Sequence, residues 1–410
     1  MSRRAFVPWS ILALAAFVRI VVAIVGLGTN DTFFWHQFGR EVVTWPFADV
    51  WRYDRFMNNP AMPALYAGMV YWWVGERVYA FSLLFKLPSL IAEVIATGLI
   101  ARITLDRTSS VRAARWAALA YALNPGAILI SGYHGNIDAV LAMFSLAAWY
   151  LASLGRFGWA GLAAGAAVNC KVAAAPAALL LLWCARSRRE FLLALAALTI
   201  MAVPYAIALS AVGQIFIERV LLYRPPVGSW LTAVPAELYD RNIAAPFMKW
   251  LVAAHSNNLI QVTLLTTLLL AVWWHLRGYR RMDLLTLGAL FWTWLVLWIG
   301  GAYQYAIWPL PLLAATRPRI ALGYGLGLCV WLAWSYGDVL QVTWPLQSVF
   351  LDSNPTRSRF AVPIPLTMLL VALVSLARHD RARDATRSHE VDDASLDTTD
   401  RALRSEFVEQ

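Results

Sequence analysis

A carboxylate, an imidazole and an ammonium group stand at hydrophobic boundaries of this chain. Asp31 lies in TNDTFF, directly after the first apolar run; His134, Asn136 and Asp138 lie in YHGNID; Lys171 lies in AAVNCKVAAAP. A carboxylate can take the proton of a poorly nucleophilic hydroxyl as that hydroxyl attacks. An ammonium in a low-dielectric site can meet the charge that accumulates on an anionic leaving group. A lysine in hydrocarbon costs roughly 2.5–3.5 kcal/mol on insertion scales. The segment around Lys171 offers no acidic neighbour, so an external anion such as a phosphate is its expected partner. His134 and Asp138 are four apart and share a helix face if the helix begins early; they read either as a pair fixing a turn or as one wall of a site. A metal pair there lacks a third ligand at suitable spacing, so no metal and no cofactor is expected. Asp31 has a plainer reading too, as an acidic residue in the first turn of a helix. Lys86, in FSLLFKLPSL, reads as a lysine that snorkels to the surface.

These residues need elements to position them, and composition names the class. The chain has 410 residues, 60% hydrophobic and only 14% charged, with a mean hydropathy of +0.58. Soluble domains carry about 25% charged residues. Apolar runs recur near the length needed to cross a bilayer. The fold class predicted is an all-α polytopic membrane protein with about 12 transmembrane helices and interfacial helices in its outer loops. Spans are expected at 9–27, 78–101, 114–131, 138–154, 159–170, 173–184, 190–211, 259–276, 284–300, 303–316, 320–337 and 361–377. The first reads as an uncleaved span rather than a signal peptide. The net charge of +10 does not indicate nucleic acid, because the arginines punctuate the apolar runs instead of forming a patch. The three cysteines lie in apolar runs without disulfide or metal spacing.

Arg3 and Arg4, Arg107, Arg112 and Arg115, Arg156, Arg186 to Arg189, Arg277 to Arg281, Arg317, Arg319, Arg378 and Arg381 mark one set of loops as cytoplasmic by the positive-inside rule. Both termini are then cytoplasmic. The opposite loops, 28–77, 132–137, 212–258 and 338–360, hold nearly all the extramembrane chain. Asp31, Asp54 and Asn58 (in YDRFMNNPAMPAL), Asn136 and the Tyr303–Gln304 pair (in GGAYQYAIWPLP) all fall on that outer side. Residues 159–184 are too short for two crossings and too interrupted for one, so short helices meeting at NCK are expected. The stretch 62–75 is apolar but too short to span, and is expected to lie at the interface. Residues 1–377 form the predicted transmembrane domain, and 378–410, polar and of mixed charge, a disordered cytoplasmic tail.

The order of these motifs resembles the GT-C superfamily of integral-membrane glycosyltransferases over about residues 9–316. TNDTFF matches the acidic stretch after the first span. NNPAMPAL is a degenerate match to a Pro-Pro-Leu motif, with Ala61 in place of the second Pro. KLPSL is similar to a basic Leu-Pro-Ser helix start. GYHGNID is similar to the family's Gly-Asn-x-Asp segment. GLAAGAAVNCKVAAAP resembles its Gly-rich helix followed by lysine, and YQYAIWPLPLL its Gln-Tyr-x-x-Trp-x-x-Pro-Leu segment.

The resemblance implies inverting transfer of a hexose, mannose slightly favoured, from a polyprenyl-phosphate-linked donor. The acceptor would be a cell-envelope lipid, glycan or protein, at the non-cytoplasmic face of a bacterial plasma membrane, with membrane lipids as further partners. Asp31 is then the expected base. Lys171, His134, Tyr303 and Gln304 are expected at the donor phosphate, and Asp138, Asn136, Asp54 and Asn58 at the sugar or acceptor. Two other readings stay open: a secondary transporter or flippase, which also uses intramembrane lysine and broken helices, and a ligase or polymerase acting on lipid-diphosphate glycans.

Overall fold

The computed structural model describes residues 8–54, 57–223, 261–273, 283–299, 303–335 and 364–376. Expectations for Arg3 and Arg4, the outer loop beyond Tyr223, the 338–360 loop and the 378–410 tail lie outside the described residues.

All the regular elements described are helical, but the twelve-span expectation is corrected. Among the described residues one helix, α5 (Val78–Thr108), is long and apolar enough to cross a membrane. The number rises to two if α11 (Arg188–Met201) and α12 (Val203–Val212), bent by 40° at their junction, count as one span. The other apolar helices have 10–17 residues. The multi-pass inner-membrane location, the cytoplasmic placement of both termini and an outer-facing site were deduced from those spans and are corrected with them.

The physical reason is interruption. The run 114–131 is divided into α6 (Val111–Ala122) and α7 (Pro125–Ile128), followed by a π-helical turn, Leu129–His134. Asn124 ends the first helix and caps the second, its Oδ1 accepting from the Ala127 N–H at 3.1 Å. Pro125 then supplies the helix start, where its missing N–H costs nothing. The run 303–316 becomes a 3-10 turn, Tyr303–Ile307, and a short helix, Leu310–Thr316, entered through Pro309. Inside α5, Pro88 cannot donate to the carbonyl of Leu84; the Tyr66 hydroxyl donates to it instead, at 2.6 Å.

Two apolar cores result. The larger packs α8 (Asp138–Ser153), α9 (Phe157–Cys170), α10 (Ala175–Trp183) and the Leu284–Ile299 helix, and includes Trp149, Trp292 and Trp308. Alanines at Ala139, Ala142, Ala148, Ala160, Ala163 and Ala167 let these helices approach closely. The smaller core joins α2 (Asn30–Thr44), α3 (Phe47–Tyr53) and α4 (Ala61–Val74) to α12 around Trp35, Phe38, Trp51 and Phe216. Cys170, at the end of α9, touches both cores. The next residue is Lys171, so the break foreseen at NCK falls on the seam.

Candidate active site

One face of α5 builds the loops that carry the site. Tyr79, Ser82, Lys86 and Ser89 are spaced three, four and three apart, a single helical face. Their side chains donate to the carbonyls of Ile24, Leu27, Gly26 and Asn136 respectively, at 2.5–2.7 Å. The first three acceptors belong to the end of α1 (Trp9–Val25) and the linker beyond it, where a helix leaves its carbonyls unpaired. Lys86 is therefore not a snorkelling lysine. It is fully buried, and the group that holds it inside is the Gly26 carbonyl at 2.6 Å.

The linker and the YHGNID loop are stitched to each other at Thr29. Its N–H and its hydroxyl both donate to the His134 carbonyl, at 3.3 and 2.9 Å, and its Oγ1 accepts from the N–H of Asp31 as the cap of α2. Gly28 at φ 114° and Gly135 at φ 81° provide the left-handed turns that bring the two strands of chain together. Asp31 thus does sit in a first helical turn, and the same turn aims it at the opposite loop.

There Asp31 Oδ2 takes the amide N–H of Asn136 at 2.7 Å and lies 3.1 Å from His134 Nε2, which donates with the proton on that nitrogen. Among the described residues no hydrogen bond reaches Oδ1, and the carboxylate is 24% exposed while His134 is 3% exposed. Burial pushes the carboxyl up. The charge of His134, the two side-chain hydrogen bonds and the charge of Lys171 outweigh it and hold the carboxyl below its ordinary range. The group is ionised at neutral pH, with one oxygen fixed and, among the described residues, the other without a hydrogen bond.

His134 and Asp138 do not share a helix. The π turn ends at His134, Gly135 reverses the chain, and Asp138 opens α8. Asp138 pairs with Lys171, both carboxylate oxygens 3.2 Å from Nζ. Lys171 accordingly has an acidic partner inside the protein, 33 residues away in sequence, which a local reading of its segment misses. The ammonium also lies over the Tyr305 ring, 4.5 Å from the centroid. Trp308 stacks on Tyr305, centroids 4.4 Å apart, with the ammonium 6.0 Å from its own ring centroid, and donates its indole N–H to Asp138 Oδ1 at 2.7 Å. Burial works against the charged lysine, but Asp138, then Tyr305 and Asp31, raise it above its ordinary value.

The late segment meets this cluster through Tyr305 and Trp308. Tyr303 packs on Trp331, centroids 4.8 Å apart; Gln304 is half-buried and, among the described residues, makes no hydrogen bond with the cluster; Tyr305 and Trp308 meet Lys171 and Asp138. Asp54 is buried and accepts from Gln37 beside Glu41, apart from Asp31. Asn58 hydrogen-bonds Tyr223, whose hydroxyl feels the charges of Lys171 and Asp31, so this pair borders the site. Among the described residues no group of three or more His, Cys, Asp and Glu side chains is arranged to hold a metal.

The geometry joins a carboxylate suited to activating a hydroxyl to a fixed ammonium within its electrostatic reach. No curated protein sequence matches the chain. Residues 82–298, more than half the chain, match the family described as Glycosyltransferase family 87, a stretch that contains His134, Asn136, Asp138 and Lys171. This chain belongs to glycosyltransferase family 87 and is a glycosyltransferase.

Proposed function

We propose that the enzyme transfers a hexose, mannose favoured, from a polyprenyl-phosphate donor to an acceptor hydroxyl with inversion at the anomeric carbon. The observation that supports this reading is the open oxygen of Asp31, held in reach of Lys171's charge at the seam of the two cores. The acceptor oxygen attacks the anomeric carbon and its proton passes to Asp31. The bond from that carbon to the phosphate oxygen breaks, and its electron pair stays on the phosphate. Lys171 meets that charge with the ammonium face that Asp138 does not occupy. His134 is nearly enclosed and turned to Asp31, so it works through the carboxylate, fixing its orientation and its ionised form. Asn136 has the same role from the other side. Asn58 and Tyr223 line the edge where sugar or acceptor hydroxyls would lie. A base held below its ordinary pKa suits this scheme, because the alcohol loses its proton only as the new bond forms.

The test is transfer by the purified full chain from labelled polyprenyl-phosphate mannose, glucose and arabinose to envelope lipid acceptors, with a lipid-diphosphate oligosaccharide as a further arm. Asp31→Asn should lower turnover by about 10²- to 10⁴-fold while donor binding persists. Unchanged turnover in that variant removes Asp31 as base. Transfer only from the lipid diphosphate favours the ligase reading, and no transfer from any donor, in an assay validated with an active transferase, removes the scheme.

A further inference from the structure

Asp138 was expected at a sugar or acceptor hydroxyl, and its surroundings do not suit that task. Its side chain is fully enclosed, and its oxygens are taken by the Lys171 ammonium and the Trp308 indole N–H. Tyr305 is itself buried, with Trp308 stacked on its ring and the Lys171 ammonium 4.5 Å from its centroid, which leaves little of it for a sugar. The four side chains form a cage whose most open member is Lys171, its side chain 15% exposed. A lysine has four rotatable carbons and a mobile head; this one is fixed at the carboxylate, at the ring and at its own backbone, which is extended at the end of α9.

We propose that Asp138 is a positioning residue, which with Tyr305 and Trp308 holds the Lys171 ammonium in place and charged at the spot where the donor's phosphate departs. This rests on the reading of Lys171 as the cation that meets that phosphate. The groups facing Lys171 are Asp138 from α8, Tyr305 from the 3-10 turn, Asp31 from α2, Tyr223 after α12 and the Cys170 thiol beside it. Asp138 is the foremost of those that keep it protonated; burial alone acts the other way. Without the carboxylate, Lys171 loses its proton at lower pH, and the alkaline limb of the rate profile moves down.

The experiment compares Asp138→Asn, Asp138→Glu, Lys171→Arg and the natural chain, all full length. Two quantities are followed against pH: kcat/KM for transfer from polyprenyl-phosphate mannose, and binding of polyprenyl phosphate in detergent. For Asp138→Asn we expect kcat/KM near neutrality to fall about 10²-fold, and the alkaline limits of both profiles to drop by about one to three pH units. Asp138→Glu should restore most of the limit, and Lys171→Arg should abolish it, because arginine does not titrate in this range. Should Asp138→Asn fail to fold, Trp308→Phe, which removes the indole donor and shrinks the buried ring, should move the same limits in the same direction by less. Alkaline limits that stay in place in the folded Asp138 or Trp308 variant, while Lys171→Arg abolishes them, overturn the role of Asp138 and leave Lys171 standing. Persistence of the natural limit in Lys171→Arg overturns the reading of Lys171 itself.

Discussion

Among the described residues, Arg19 and Lys171 are each held against a buried carboxylate, and the two pairs are built to opposite ends. Arg19 meets Glu93 Oε2 through Nε at 3.0 Å and Nη2 at 2.6 Å. Its remaining N–H groups go to the carbonyls of Ala15, Ala122 and Tyr121, and the Tyr121 hydroxyl closes on Glu93 Oε1 at 2.8 Å. An arginine has five donors, and all five are spent. Lys171 is paired as closely in charge terms, but its contacts are one carboxylate and the rings of Tyr305 and Trp308, and its side chain stays 15% exposed. Buried charge alone therefore does not mark a site here. What separates the pairs is unspent bonding capacity on a surface that another molecule can reach. The saturated pair ties α1, α5 and α6 together; the other is the pair to which the proposed transfer assigns the departing phosphate.

The sharpest way to break this comparison is to remove one partner and then both. Arg19→Met strands the Glu93 carboxylate, and loss of one member of a buried pair costs about 3–5 kcal/mol. We expect a large fall in the denaturation midpoint, with the specific activity of the folded fraction unchanged. Arg19→Met combined with Glu93→Leu removes both charges and should recover most of the stability, and activity with it. Lys171→Met with Asp138→Asn should behave differently, regaining stability over Lys171→Met alone but no transfer. If the second double variant regains transfer, the two pairs have the same role and the distinction falls.

A smaller effect isolates the loop from the charges. Gly135 carries φ 81°, and a Cβ there would lie 2.5 Å from Thr32 Oγ1. Gly135→Ala should cost about 1–3 kcal/mol and displace His134 and Asn136 from Asp31, leaving the Arg19 pair as it is. The expected signature is a fall in kcat larger than the change in KM. Unaltered kcat would mean that Asp31 needs neither neighbour for its geometry.

Several of these residues are legible in the sequence, for definite reasons. Lys171 stands out because a cation interrupts an alanine-rich run, and Asp31 because it follows the first apolar stretch directly. The pairings are not legible. Asp138 and His134, four apart, suggest one face of one helix, and only the π turn and Gly135 send them to Lys171 and Asp31 separately. Tyr303 and Gln304 are expected from their place at a turn and from the motif likeness, while Tyr305 and Trp308 are the residues of that segment that meet Lys171 and Asp138, because the 3-10 turn and Pro309 set which side chains face inward. The helical class is readable from apolar composition, but the span lengths are not. An averaged hydropathy passes over Asn124–Pro125, Pro204 and Pro309, each of which begins a new, shorter element. Lys86 was misread because its partner is a backbone carbonyl, which no side-chain pattern announces.

The mildest test uses a third carboxylate setting, one that has neighbours but no tightly bound cation. Glu41 accepts from Gln37 at 2.8 Å, with Asp54 beside both and Arg40 acting only at a distance. Burial first, and then the charge of Asp54, push its carboxyl up from an ordinary value of 4.5 to about 7, against the opposing hydrogen bond from Gln37. The sign follows from which state holds the proton. Between about pH 4.5 and 7 the unfolded chain has lost it while the folded chain keeps it, so stability falls as pH rises through that window and levels off above it. Glu41→Gln keeps the shape and cannot ionise. It should match the natural chain near pH 4, exceed it near pH 8, and flatten the intervening slope of the denaturation midpoint; these values are set by the same window. Transfer should persist, since Glu41 is apart from Asp31 and Lys171. An unchanged slope would place the natural chain's pH response elsewhere and show that a carboxylate here needs no cation to stay ionised, which would also weaken the case that Lys171 and Asp138 depend on each other.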